Sequence, residues 1–134
     1  MKKTELLNEP LSALIAAMGH TDRLIICDSG LSIPHGAPKI DLALTANVPK
    51  FIDTLKTIMS ELEVEEVIVA EEMVTQNKGI YDEMLTLLDE TPVRMVPHLD
   101  FKIETQQNGN VSFVRTGEAS PFANIILISG VTFN

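Results

Sequence analysis

A histidine and an aspartate flank one short apolar run in this chain. Gly19-His20-Thr21-Asp22 precedes Leu24-Ile25-Ile26-Cys27, and Asp28-Ser29-Gly30 follows it. Each polar residue lies near a glycine, whose backbone can turn where other residues cannot. An imidazole takes and gives a proton near neutral pH, so His20 is a candidate acid–base group. An aspartate just past a strand can hold a polar ligand, which makes Asp28 its candidate companion. His20 also suits the negative end of a helix dipole, and Asp28-Ser29-Gly30 suits a plain turn.

Further along, His98 follows Pro97 at a predicted strand end. The run Arg115-Thr116-Gly117-Glu118-Ala119-Ser120-Pro121-Phe122-Ala123-Asn124 mixes charge, amide and aromatic residues just before an apolar strand. Such a mixture suits a polyhydroxylated ligand, which needs paired donors and acceptors and one apolar face over its C–H groups. His35 lies in a Pro/Gly loop and reads as solvated. The glutamates at 61, 63, 65 and 66, and the pair Glu71-Glu72, read as solvated charge runs. No His-x-x-His or Cys-x-x-Cys clip occurs, so no metal is expected. Neither a P-loop nor a Gly-x-Gly-x-x-Gly turn occurs, and a Gly-x-Ser-x-Gly elbow is absent as well.

Composition narrows the partners. The chain has 134 residues, 45% hydrophobic and 22% charged, which fits a single packed domain over residues 1–134. A net charge of −9 without a Lys/Arg cluster argues against nucleic acid and anionic lipid. The single Cys27 allows no intrachain disulfide and reads as a small buried strand residue in a reducing compartment. No apolar run reaches the ~18 residues of a membrane span, and no signal-peptide core is visible. The expectation is a cytoplasmic protein.

The elements that must position these groups alternate along the chain. Leu7, Leu11, Leu14, Ile15 and Met18 recur at helical spacing, with Pro10 in the first turn and Gly19 as the stop. Arg23–Cys27 is a strand, residues 31–38 a loop, and Ile40–Leu44 a weak strand. Pro49 opens a second helix that turns Ile52, Leu55, Ile58, Met59 and Leu62 inward. Val64–Ala70 is a strand buried on both faces. A helix over 77–88, a strand over Val93–Val96 and a short helix over 100–106 follow. A turn at Asn108-Gly109-Asn110 leads to strands at Val111–Arg115 and Ile125–Ile128. The pattern predicts an α/β fold: one three-layer domain, its mostly parallel central sheet flanked by helices. Ligands of such sheets gather beyond the carboxyl ends of strands. Asp28 and His98 sit there, whereas His20 needs a neighbouring element or subunit to reach them.

Several of these segments, in order, resemble the ribose pyranase and fucose mutarotase family. They are Gly19–Asp22, Asp28-Ser29-Gly30-Leu31-Ser32-Ile33-Pro34, Ile40–Leu44, Pro97-His98 with Phe101-Lys102, Arg115–Glu118 and Pro121–Asn124. The resemblance runs from Met1 to Phe133. It implies cofactor-free interconversion of the β-pyranose and β-furanose forms of D-ribose, feeding ribose catabolism, in a ring-shaped homodecamer with sites at subunit interfaces. It assigns His20 as the catalytic acid–base residue and Asp28 and His98 as sugar ligands. Phe122, Ala123 and Asn124 supply the remaining contacts, in the family from an adjacent subunit. Phe122 stands where the family usually has Tyr, and Leu99 where it usually has an acid. A non-catalytic sugar-binding or regulatory subunit, a mutarotase for another aldose such as L-fucose, and a phosphocarrier at His20 are the competing readings.

Overall fold

Asn8 starts the first helix. Its Oδ1 accepts from the Leu11 N–H at 2.9 Å, and Pro10 lies in the first turn, where no intrahelical N–H is missed. In the computed structural model, which describes residues 1–107 and 109–134, this helix (α1, Glu9–Ala17) buries Leu11. It stops at Ala17, before the predicted glycine stop, because Met18 is already extended. Gly19 instead opens a turn in which its N–H donates to Asp22 Oδ2 at 2.8 Å. Leu6 rather than Leu7 enters the core; both precede the Asn8 cap, so helical spacing does not govern them.

Six strands follow the order β2-β5-β1-β6-β3-β4: β1 (Arg23–Cys27), β2 (Lys39–Asp41), β3 (Val64–Ala70), β4 (Val93–Val96), β5 (Val111–Arg115) and β6 (Ile125–Ser129). The β2–β5, β5–β1 and β3–β4 pairs are parallel. Only β6 runs backwards, antiparallel to β1 on one side and β3 on the other. The mostly parallel, single-domain reading holds, with this one reversal added. β2 is shorter than expected, since Asp41 Oδ1 accepts from the Ala43 N–H at 3.0 Å and turns the chain off the sheet edge.

The described residues hold four more helices: α2 (Phe51–Met59), α3 (Glu72–Gln76), α4 (Lys78–Leu88) and α5 (His98–Glu104). The short α3 has too few residues for a periodic signal and is not foreseen by the sequence. Alternation along the strands feeds two apolar layers. Leu24, Ile26, Val67, Val69, Ile125 and Leu127 face a core closed by Leu11 and by α2 and α4 through Phe51, Leu55, Ile58, Met84 and Leu88. Ile25, Cys27, Ile68, Ala70 and Ile126 face a smaller one closed by Phe101 of α5. Each fully buried aliphatic side chain contributes about 1.5–3 kcal/mol relative to exposure. Asn108, in the predicted turn, lies outside the described residues. No helix among the described residues is long and apolar enough to cross a membrane.

Candidate active site

The reversal of β6 organises the site. Because Ile125 pairs with Ile26, the residues just before β6 emerge at the same sheet edge as those just after β1. That edge also collects the ends of β3, β4 and β5. A cavity of about 360 Å³ opens there, with Asp28, His98, Lys102, Phe122 and Asn124 in its walls.

Asp28 and Asn124 hold the centre. The Asp28 N–H donates to Asn124 Oδ1 at 2.9 Å, and Asn124 Nδ2 donates to Asp28 Oδ2 at 3.2 Å. Asp28 Oδ1 accepts from the Gly30 N–H at 2.9 Å. Burial pushes the Asp28 carboxyl above its ordinary value, against the opposing pull of the Gly30 and Asn124 hydrogen bonds. A carboxylate that is partly desolvated gains from a hydroxyl donor, and that is what a sugar offers.

His98 opens α5, two residues earlier than the sequence suggests, because the Glu72 carboxylate accepts its N–H at 3.0 Å and caps the helix. Its ring stacks on Phe101 at 6.2 Å and meets the edge of Phe122 at 5.0 Å. The Nδ1 atom is buried with no partner among the described residues. Phe122 adopts φ 58°, a left-handed conformation that bulky residues seldom occupy.

The loop carrying Phe122 is tied down by residues that look like ligands in the sequence. Glu118 is buried, and its two oxygens accept from the Phe51 N–H at 3.0 Å and Ser120 Oγ at 2.8 Å. It caps α2. Arg115 donates to Asp41 at 3.1 Å and to the Ser29 carbonyl at 3.2 Å, so it braces the sheet edge rather than serving as a free donor. Gly117 has no room for a side chain, because a Cβ there would lie 2.5 Å from the carbonyl oxygens of Thr45 and Val48.

The expected site residues fall in three places. Ala123 is fully buried in the larger apolar core and does not line the cavity, because the turn at Phe122 points its neighbour inward. Phe122 and Asn124 share the cavity with Asp28 and His98 of the same chain, where the resemblance implies an adjacent subunit. His20 lies at the other edge of the sheet, half exposed, with Nε2 2.8 Å from Glu65 Oε2. The five residues of β1 separate it from Asp28; at about 3.3 Å each they span some 16 Å. Lys102, one helical turn beyond His98 and part of the Pro97-His98 with Phe101-Lys102 segment that carries the resemblance, also lines the cavity, although the sequence reading gave it no role. Cys27 is buried, its thiol pushed up to about 12 chiefly by desolvation, and His35 is exposed.

A six-stranded α/β sheet with one reversed strand and a polar, aromatic-walled pocket at its carboxyl edge defines the class: a small α/β protein with a site chemically suited to a polyhydroxylated molecule. The chain belongs to the RbsD / FucU transport protein family, whose sequence model matches residues 1–132. It is 52% identical over 133 residues to a D-ribose pyranase of Coprothermobacter proteolyticus, covering 99% of this chain and 100% of the relative. The structure of Bacillus subtilis RbsD complexed with D-ribose matches with a TM-score of 0.93 at 39% identity, over 99% of this chain and 100% of that one. A fucose mutarotase from Streptococcus pneumoniae in complex with L-fucose has a TM-score of 0.76 at 18% identity, over 94% of each chain, and shares the fold.

Proposed function

We propose that this chain is an isomerase that interconverts the β-pyranose and β-furanose forms of D-ribose, without a cofactor, and serves ribose catabolism in the cytoplasm. The observation that carries the reading is the Asp28–Asn124 clamp beside His98, in a fold matching that of a relative complexed with D-ribose. Ring opening moves two protons. The anomeric hydroxyl loses one as its carbon becomes a carbonyl, and the ring oxygen gains one as its bond to that carbon breaks. Reclosure through the other chain hydroxyl reverses both transfers.

His20 is the group that takes and returns the proton, a role for which one histidine serves both directions. Since it lies at the far edge of its own sheet, it acts in the pocket of a neighbouring copy, within a homodecamer whose sites lie between subunits. Asp28 accepts from a sugar hydroxyl, His98 hydrogen-bonds another, Asn124 holds Asp28, and Phe122 covers a C–H face. Ala123 contributes through its backbone position alone, keeping Phe122 and Asn124 in place.

The test is exchange NMR on D-ribose, with a panel of aldoses including L-fucose beside it. The protein should speed pyranose–furanose exchange of ribose in preference to the others, and His20→Ala should abolish most of that acceleration. Equal acceleration by His20→Ala would overturn the assignment. A second reading, a sugar-binding subunit without catalysis, draws on the separation of His20 from the pocket; it predicts saturable ribose binding with no faster exchange.

A further inference from the structure

Glu65 belongs to a run of glutamates that looks like a solvated face in the sequence, yet several features aim it at one ring. Its Oε2 lies 2.8 Å from His20 Nε2. The pairing of β3 with β6 shifts register between Val64 and Glu66, so Glu65 sits at an irregularity in the strand. Such bulges re-aim a side chain that a regular strand would direct elsewhere. Its neighbour Glu66 pairs separately with Arg94 at 3.1 Å. Opposite the irregularity is Gly130, where a Cβ would lie 3.2 Å from the Glu65 Cβ. That spacing is tight for any larger residue, so the glycine leaves Glu65 its place. The backbone next to His20 is fixed from β6, the strand paired with β3, because the Thr21 N–H donates to the Ser129 carbonyl at 2.8 Å and Thr21 takes φ 69°.

We propose that Glu65 is the positioning residue for His20. An ionised carboxylate only accepts hydrogen bonds, so the contact places the ring proton on Nε2. Nδ1 is then the lone-pair atom in the neutral ring and the second N–H in the charged one, and it is the atom that exchanges protons with the sugar. Glu65 acts through His20, as the third member of a triad orients its base, and touches no substrate itself. The arrangement deepens the isomerase reading and rests on it.

The experiment compares Glu65→Ala and Glu65→Gln with the parent in the full chain. Glu65→Ala should lower kcat for ribose exchange by about 10- to 100-fold, the usual cost of a misplaced catalytic group, with KM little changed. Glu65→Gln, whose amide oxygen can still accept from Nε2, should recover part of the loss. Nitrogen-15 NMR of the His20 ring should show the Nε2–H tautomer in the parent and a loss of that preference in Glu65→Ala. A parent-like kcat in Glu65→Ala, or a tautomer balance that does not respond, would refute the proposal. So would a loss of assembly that Glu65→Gln fails to repair, since Glu65 would then be structural. A parent that does not accelerate exchange would instead overturn the isomerase reading, while the ring NMR still decides whether Glu65 holds His20.

Discussion

Asp28 and Asn124, 96 residues apart, grip each other in both directions: the backbone N–H of one donates to the side chain of the other, whose amide donates back to its carboxylate. The pair joins the end of β1 to the start of β6 and fixes the carboxylate on the floor of the pocket.

Asn124→Ala removes both hydrogen bonds and leaves the Asp28 N–H unpaired. An unsatisfied group of that kind costs about 1–3 kcal/mol, so urea denaturation should show a loss of that order. Ribose KM should rise, because the carboxylate is no longer held. A variant with parent stability and parent KM would mean that the clamp is incidental.

Subunits carrying His20→Ala and subunits carrying Asp28→Ala should each lose most of the exchange activity, by about 10²- to 10⁴-fold for His20→Ala. Unfolded together and refolded as a mixture, they should regain activity, since some interfaces then join an intact His20 to an intact Asp28. No recovery in a mixture that assembles would place both residues in the same subunit's site.

Burial raises the Asp28 carboxyl above its ordinary value, so the folded chain holds that proton more tightly than the unfolded chain does. The resulting stability is fully present below the ordinary value and is lost as pH rises through the raised folded value. Urea denaturation of the parent and of Asp28→Asn across roughly pH 3 to 7 should therefore show the parent gaining on the variant as pH falls. The opposite trend would mean that the Gly30 and Asn124 hydrogen bonds outweigh desolvation.

Most of the elements were legible in the sequence because they depend on short-range physics. Helical spacing and Asn8-Glu9-Pro10 mark α1, apolar runs mark β1, β3 and β6, and Pro/Gly clusters mark the loop after Asp28. His20, Asp28, His98 and Asn124 stood out in the sequence as candidates by residue type and by their places beside predicted strands, although helix ends and turns use the same types. Partner choice was not. Glu118 and Arg115 carry ligand-like side chains, yet one caps α2 and the other braces Asp41. Glu65 looks like surface charge, yet it meets His20.

What the sequence alone determined, then, is which residues form strands and helices and which side chains could do chemistry. Only the tertiary structure decided that β6 runs against its neighbours, bringing Asn124 to Asp28, and that His20 lies at the opposite edge beside Glu65. Periodicity records which faces of a strand are buried, but a strand buried on both faces carries the same apolar pattern in either direction. Its direction is settled by the packing of the whole sheet, and with it which distant residues meet.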